Sequence, residues 1–240
     1  MIWQVKSLEI EEEYKKLAGE KAVEYIENGM IVGLGTGSTV KYALLKIGEL
    51  VEEGLDIKGI PTSQQTKKVA LEQKIPLTTL EENPKIDLTI DGADEVDSNI
   101  NLIKGGGGAL TREKIIAYHS KKLIIIVDDS KIVKALGINF PLPVEVVKFG
   151  WSSTRETLEK LGCKAERRTV IAEEPYITDN SNYIIDCDFN RIKEPKELEE
   201  KINLIPGVVE NGLFIDLADE VIVGGKGGIT TLEKEQKKFL

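Results

Sequence analysis

From Leu123 to Val127 the chain reads Leu-Ile-Ile-Ile-Val, five apolar residues of which four are β-branched. Branched side chains of this kind pack well on a pleated surface and crowd a helix, so the run is a strand. It offers no polar face to water, and both of its faces must therefore be covered. Met30 to Leu34 is a second apolar run, and Ile57 to Ile60 and Ile86 to Ile90 are further strand candidates. Helical spacing lies between them. Tyr14, Leu17, Ala18, Ala22 and Ile26 recur at that spacing before an Asn28-Gly29 stop. Thr39 through Leu44, Leu45 and Leu50 repeat it up to Gly54, and Gln64 to Gln73 and Leu110 to Tyr118 follow. Strands that need two covers, alternating with helices, predict a parallel sheet in an α/β fold.

The predicted class is accordingly a Rossmann-like, mostly parallel sheet with helices on both faces. After about Gly137 the pattern changes. Asn139 to Pro143 holds two prolines and suggests a connector. Val144 to Phe149, Ala165 to Ile171 and Tyr183 to Asp188 have strand character, with helices near Ser152 to Leu161 and Pro195 to Ile205. That β-α-β-β-α order predicts a smaller ferredoxin-like α+β lobe. Strand character returns at Phe214 to Leu217 and Val221 to Val223, as if the tail rejoined the first sheet. The expected division is a catalytic domain of residues 1–137 and 208–240 and a small lobe of residues 138–207. Gly224 to Gly228, with Lys226, is expected to terminate the last strand, and Glu233 to Lys238 to form a solvated helix end.

Composition removes several function classes. Of 240 residues 41% are apolar and 30% charged, which excludes a disordered chain. With 32 basic and 41 acidic residues the net charge is −9, a surface that repels a phosphate backbone, so nucleic acid is not an expected partner. Cys163 and Cys187 form no C-x-x-C pair and are expected as reduced, partly buried thiols. No apolar run approaches the roughly 20 residues of a membrane span. The acidic start, Trp3 to Glu13, does not suit a signal peptide, and a cytoplasmic protein is expected.

Four clusters carry residues suited to chemistry, and three of them follow predicted parallel strands, where open α/β sheets bind ligands. Gly33 to Thr39 reads G-L-G-T-G-S-T. It is either a structural turn or an anion site built from the next helix's N–H groups and the hydroxyls of Thr36, Ser38 and Thr39. Asp91 to Asp97 reads D-G-A-D-E-V-D. Its acids form either a solvated turn or, through Asp91 and Asp94, acceptors for the hydroxyls of a polyol; the calcium-loop pattern fails. Lys104 to Glu113 reads K-G-G-G-G-A-L-T-R-E. Four consecutive glycines are conformationally costly, and they make sense as a concavity of backbone N–H groups beside a developing negative charge, with Lys104 adding a cation. Glu113 then falls near the start of a helix, as a proton acceptor or as an acid favoured by the helix dipole. Lys131, in V-D-D-S-K, either reaches a ligand phosphate or is a surface lysine. His119, the only histidine, lacks a nucleophile elbow and is taken as structural.

In this order and spacing the first three clusters closely resemble those of the ribose-5-phosphate isomerases of the A type. The resemblance runs through nearly all of the chain, including the inserted lobe. It implies interconversion of D-ribose 5-phosphate and D-ribulose 5-phosphate in the non-oxidative pentose phosphate pathway, with no metal or organic cofactor. By position it implies Glu113 as the base, with Asp91, Asp94 and Lys104 as its catalytic company. Substrate contacts are implied at Thr36, Gly37, Ser38 and Thr39, at Asp91, Gly92, Ala93 and Asp94, and at Lys104, Gly105, Gly106, Gly107 and Lys131. An N-terminal phosphate-binding lysine is ambiguous between Lys15 and Lys16. A homodimer or homotetramer is implied as well. A sugar-phosphate sensor and a CoA transferase of the same fold class are the rival readings. Too little chain precedes the first strand for a DNA-binding module, and neither rival accounts for Lys104, Glu113 and the Asp91/Asp94 pair together.

Overall fold

The protein is described from a computed structural model that covers residues 2–234. The chain opens with α1 (Ile2–Val23), β1 (Ile31–Leu34), α2 (Ser38–Glu52), β2 (Lys58–Pro61), α3 (Gln64–Glu72) and β3 (Leu88–Asp91). Two short strands, β4 (Glu95–Val96) and β5 (Leu102–Ile103), precede α4 (Leu110–Tyr118) and β6 (Leu123–Asp128). Next come β7 (Leu142–Val146), α5 (Trp151–Glu159), β8 (Lys164–Arg167), β9 (Tyr183–Asp188), α6 (Pro195–Asn203), β10 (Val208–Asn211) and β11 (Leu213–Phe214). The chain closes with β12 (Glu220–Gly225) and β13 (Gly228–Glu233).

The described residues form two compact units, residues 2–92, 116–131 and 216–234 in the first and residues 93–115 and 132–215 in the second. In the first, the sheet order is β13-β12-β6-β3-β1-β2, parallel from β12 to β2. All six residues of β6 are buried, as a strand without a polar face requires. Val32, Leu34, Leu88, Ile90, Ile124, Ile126 and Ile222 face one core with Ala18 and Ala22 of α1 and Val40, Ala43, Leu44 and Ile47 of α2. On the opposite face Ile116 packs with Ile60 and Ile86. Helices on both faces are thus accounted for by strand alternation. Ser63 starts α3 by accepting a hydrogen bond from the Thr66 N–H at 3.0 Å.

In the second unit β7, β8, β9 and β10 form an antiparallel sheet in the order β10-β7-β9-β8, with α5 and α6 as the crossovers. That is the expected ferredoxin-like order, completed by a strand, β10, that the sequence pattern did not reveal. β11, β5 and β4 form a separate antiparallel sheet.

Several boundaries differ from expectation, each for a tertiary reason. Residues 93–115 join the second unit, because β5 pairs with both β4 and β11 and Ile103 packs with Leu142 and Val144. The Glu95 carboxylate ties the same segment to residues 137–140, accepting from the N–H groups of Gly137 and Asn139 at 2.6 Å and of Phe140 at 2.9 Å. Phe214 consequently belongs to the second unit, and of the two expected tail segments only Val221 to Val223, in β12, returns to the first sheet. The expected connector at Asn139 to Pro143 gives Leu142 and Pro143 to β7, where the Pro143 carbonyl accepts from Gly212. The run Gly224 to Gly228 does not end the sheet. Gly225 pairs with Gly228 across a tight hairpin, and the chain continues as β13. Glu233 is therefore in a strand, and of the expected C-terminal helix end, residues 235–238 lie outside the described residues.

Candidate active site

In the first unit β6, β3 and β1 are neighbours, and their carboxyl ends carry Asp128–Lys131, Asp91–Gly92 and Gly35–Thr39. Chain order reverses between β1 and β3, the position at which open parallel sheets form a crevice. Asp91, 1% exposed, accepts from the Thr36 N–H at 3.0 Å and the Gly92 N–H at 2.8 Å, both at Oδ1. A Cβ on Gly35 would come within 2.3 Å of that oxygen, so only glycine lets the β1 turn approach the carboxylate.

The Thr36 hydroxyl, placed at a ligand by sequence reasoning, lies 2.7–2.9 Å from the hydroxyls of Thr62, Ser63 and Thr66. This cluster joins the β1 turn to the start of α3, and Thr66 also donates to the Gly35 carbonyl at 2.7 Å. Its signal was present in the sequence as T-S-Q-Q-T after β2, a serine/threonine-rich helix start. Gly37, at the N-cap of α2, supplies no side-chain hydrogen bond, and Gly37 and Ser38 are exposed. The first N–H groups of a 15-residue helix are therefore available to an anion. Lys131 ends a short 3-10 turn after β6 and is half-buried; among the described residues no carboxylate pairs with it. Lys15 bonds Glu12 at 2.8 Å and Lys16 lies 3.8 Å from Glu20, with Lys15 the more enclosed of the two.

The second unit gathers Asp94, Lys104, the glycine run and Glu113. The Asp94 N–H donates to the Ile103 carbonyl at 2.8 Å and the Lys104 N–H to the Gly212 carbonyl at 2.9 Å, which holds both residues at one end of the β4-β5-β11 sheet. The Asp94 carboxylate accepts from the Gly106 N–H at 2.7 Å. Glu113 lies in the first turn of α4, and its Oε2 is 3.3 Å from Lys104 Nζ. Both side chains are almost wholly buried, at 4% and 2% exposure. Two opposite charges so placed attract each other strongly, because little water is present to screen them.

Sequence reasoning did not single out the residues around this pair. The Phe214 ring lies beneath two ammonium groups, Lys104 at 5.4 Å and Lys114 at 5.1 Å. Lys114 is also held by Glu210 at 2.7 Å and Glu199 at 3.2 Å. Burial pushes the Glu199 carboxyl above its ordinary range. Thr111, on the same turn as Glu113, donates to the buried Glu145 carboxylate at 2.5 Å, which also accepts from Thr178 at 2.9 Å and Asn182 at 2.8 Å. His119 is exposed and its ring packs edge-on to Tyr118. Lys226 sits in the turn of the β12-β13 hairpin.

Residues 58–228 match the family model for ribose 5-phosphate isomerase A (phosphoriboisomerase A). The ribose-5-phosphate isomerase A of Bacillus mycoides is 50% identical over 216 residues, covering 90% of this chain and 97% of that protein. That of Thermococcus kodakarensis is 47% identical over 226 residues, covering 93% and 99%. The chain belongs to the ribose-5-phosphate isomerase A family. A solved D-ribose-5-phosphate isomerase in complex with phospho-erythronic acid superposes with a TM-score of 0.90 at 48% identity, covering 92% of this chain and 98% of that one. The ribose 5-phosphate isomerase A of Methanocaldococcus jannaschii gives 0.89 at 45% identity, covering 93% and 99%. As a ribose-5-phosphate isomerase A, the chain is an isomerase with an α/β fold. No helix of the described residues is long and apolar enough to cross a membrane.

Proposed function

We propose that this enzyme interconverts D-ribose 5-phosphate and D-ribulose 5-phosphate through an enediolate, with Glu113 carrying the proton. The observation that supports this most is the buried Lys104–Glu113 pair, 3.3 Å apart beside a run of glycines. In the aldose-to-ketose direction Glu113 takes the proton from C2 and the electron pair forms a C1–C2 double bond. The C1 carbonyl oxygen gains the negative charge. As Glu113 is neutralised, the Lys104 ammonium loses its partner charge and turns to that oxygen, together with the backbone N–H of Gly107, while Gly105 and Gly106 shape the loop around it. Glu113 then returns the proton to C1, the O2 proton passes to O1, and the carbonyl stands at C2.

Asp91 is assigned to opening of the furanose ring by taking and returning a hydroxyl proton, and Asp94, with Gly92 and Ala93, to orienting the sugar. Gly37, Ser38, Thr39 and Lys131 are assigned to the phosphate, whose charge does not change during the reaction. Remote binding of that kind positions the reacting carbons. Phospho-erythronic acid, held by the similar isomerase, supports a phosphorylated sugar as the substrate. It is a sugar-acid phosphate whose planar, charged carboxylate resembles an enediolate. A place in the pentose phosphate pathway, a cytoplasmic setting and a homodimeric or homotetrameric assembly belong to the same reading.

Glu113→Gln tests it. The amide keeps the shape and cannot accept a proton, so kcat should fall by several orders of magnitude while a non-reactive pentose phosphate still binds. A variant that keeps a tenth of the wild-type kcat would remove Glu113 from the role of base.

A further inference from the structure

The glycine run is held by its carbonyls. Arg168 Nη1 donates to the carbonyl oxygens of Gly105 and Gly106, each at 2.9 Å, and the Tyr176 hydroxyl donates to that of Gly107 at 2.9 Å. Arg168 is itself fixed, its Nε and Nη2 forking onto the Asp186 carboxylate at 2.9 and 2.5 Å. One loop carries both donors. The Tyr176 N–H bonds the Arg168 carbonyl at 3.0 Å, and Thr169 pairs with Pro175. The Tyr176 ring lies where a Cβ on Gly108 would be, at 2.4 Å, and Gly108 has φ +72°, so this end of the run admits only glycine.

In a planar trans peptide the C=O and the following N–H point in opposite directions. Pinning the carbonyls of Gly105, Gly106 and Gly107 therefore sets the directions of the N–H groups of Gly106, Gly107 and Gly108. The first goes to Asp94 and the third closes a turn onto Gly105. The Gly107 N–H has no acceptor among the described residues, and Gly107 is exposed. Glycine has the widest choice of backbone conformation of any residue, so a run of four would otherwise lose this orientation.

We infer that Arg168 and Tyr176 are positioning residues that aim the Gly107 N–H at the substrate oxygen that becomes charged. The inference rests on the proposed reaction, in which that oxygen needs a preorganised donor. Lysine cannot reproduce the planar fork of Arg168. Arg168→Ala should lower kcat by about 10²-fold, with little change in KM, because the misdirected donor acts only in the transition state. Arg168→Lys should recover only part of that loss. Tyr176→Phe, which removes one hydroxyl, should lower kcat by roughly fivefold.

Two ligands separate aiming from general loosening. Affinity for 4-phospho-erythronate, whose carboxylate carries the charge, should fall in step with kcat across the three variants. Affinity for ribitol 5-phosphate, which carries none at that position, should stay at the wild-type value. Equal weakening of both ligands, or wild-type kcat in Arg168→Ala, would overturn the inference. If Arg168→Ala does not fold, Tyr176→Phe decides, and wild-type kcat and analogue affinity there would overturn it too. An active Glu113→Gln enzyme would instead remove the reaction on which the inference stands.

Discussion

The buried Lys104–Glu113 pair makes a quantitative demand on stability. At 3.3 Å, with an effective dielectric constant of about 20, the attraction between unit charges is about 5 kcal/mol. The attraction offsets the desolvation of two groups that are only 2% and 4% exposed, so the intact pair is close to neutral for folding. Breaking it is not neutral. Lys104→Met leaves the Glu113 carboxylate buried without its ammonium, and the expected loss is about 3–5 kcal/mol. That is a large share of a typical total of about 5–15 kcal/mol. Glu113→Gln leaves the ammonium over the Phe214 ring and should cost somewhat less, since the cation–π contact at 5.4 Å remains. The double variant Lys104→Met/Glu113→Gln removes both charges and should be more stable than Lys104→Met alone, within about 1 kcal/mol of wild type. Urea unfolding followed by circular dichroism measures all four proteins, with the midpoint and slope fitted together. A Lys104→Met protein within 1 kcal/mol of wild type, or a double variant as unstable as the sum of the two singles, would refute the reasoning.

Lys104→Ala should lower kcat by about 10²–10³, whereas Lys131→Ala should mainly raise KM, with a smaller defect on a substrate that lacks the phosphate; the same kinetic pattern in both would contradict their assignment. The Tyr25 hydroxyl is pushed up to about 12 by its bond to Glu220, then by burial. Because that value lies above the unfolded one, the bond's contribution is present below pH 10 and is lost as pH rises from 10 to 12. Tyr25 is only half-buried, so after screening the effect should be under about 1 kcal/mol and absent in Tyr25→Phe; alkaline unfolding curves that coincide for the two proteins would rule it out. Sedimentation at micromolar concentration should show an oligomer, and a lone 26.6 kDa species would contradict the proposed assembly.

Much of the fold was legible because it is local. Four-residue and longer apolar runs became strands, Leu110 to Tyr118 became α4 at its expected bounds, and the β-α-β-β-α order identified the small lobe. The candidate site was legible for a related reason. Glycines that admit close approach, and the charged residues near them, cluster in the chain, so Asp91, Lys104 and Glu113 could be singled out as candidates, and the family resemblance then implied their roles. Partnership between distant segments was not legible. A two-residue strand such as β5 has no periodicity to say which sheet it joins; β11, more than a hundred residues later, decides that. The backbone bonds of β4, β5 and β11 moved residues 93–115 from the expected catalytic domain into the other unit. Arg168 and Tyr176 carried no local signal, since an arginine and a tyrosine on a loop are ordinary surface residues until tertiary structure brings them to carbonyls 62–69 positions earlier. Local sequence determines which backbone a segment prefers and where charge is available. Only the folded chain decides which of those charges share a buried, low-dielectric place, because that depends on contacts between residues that no single stretch of sequence contains.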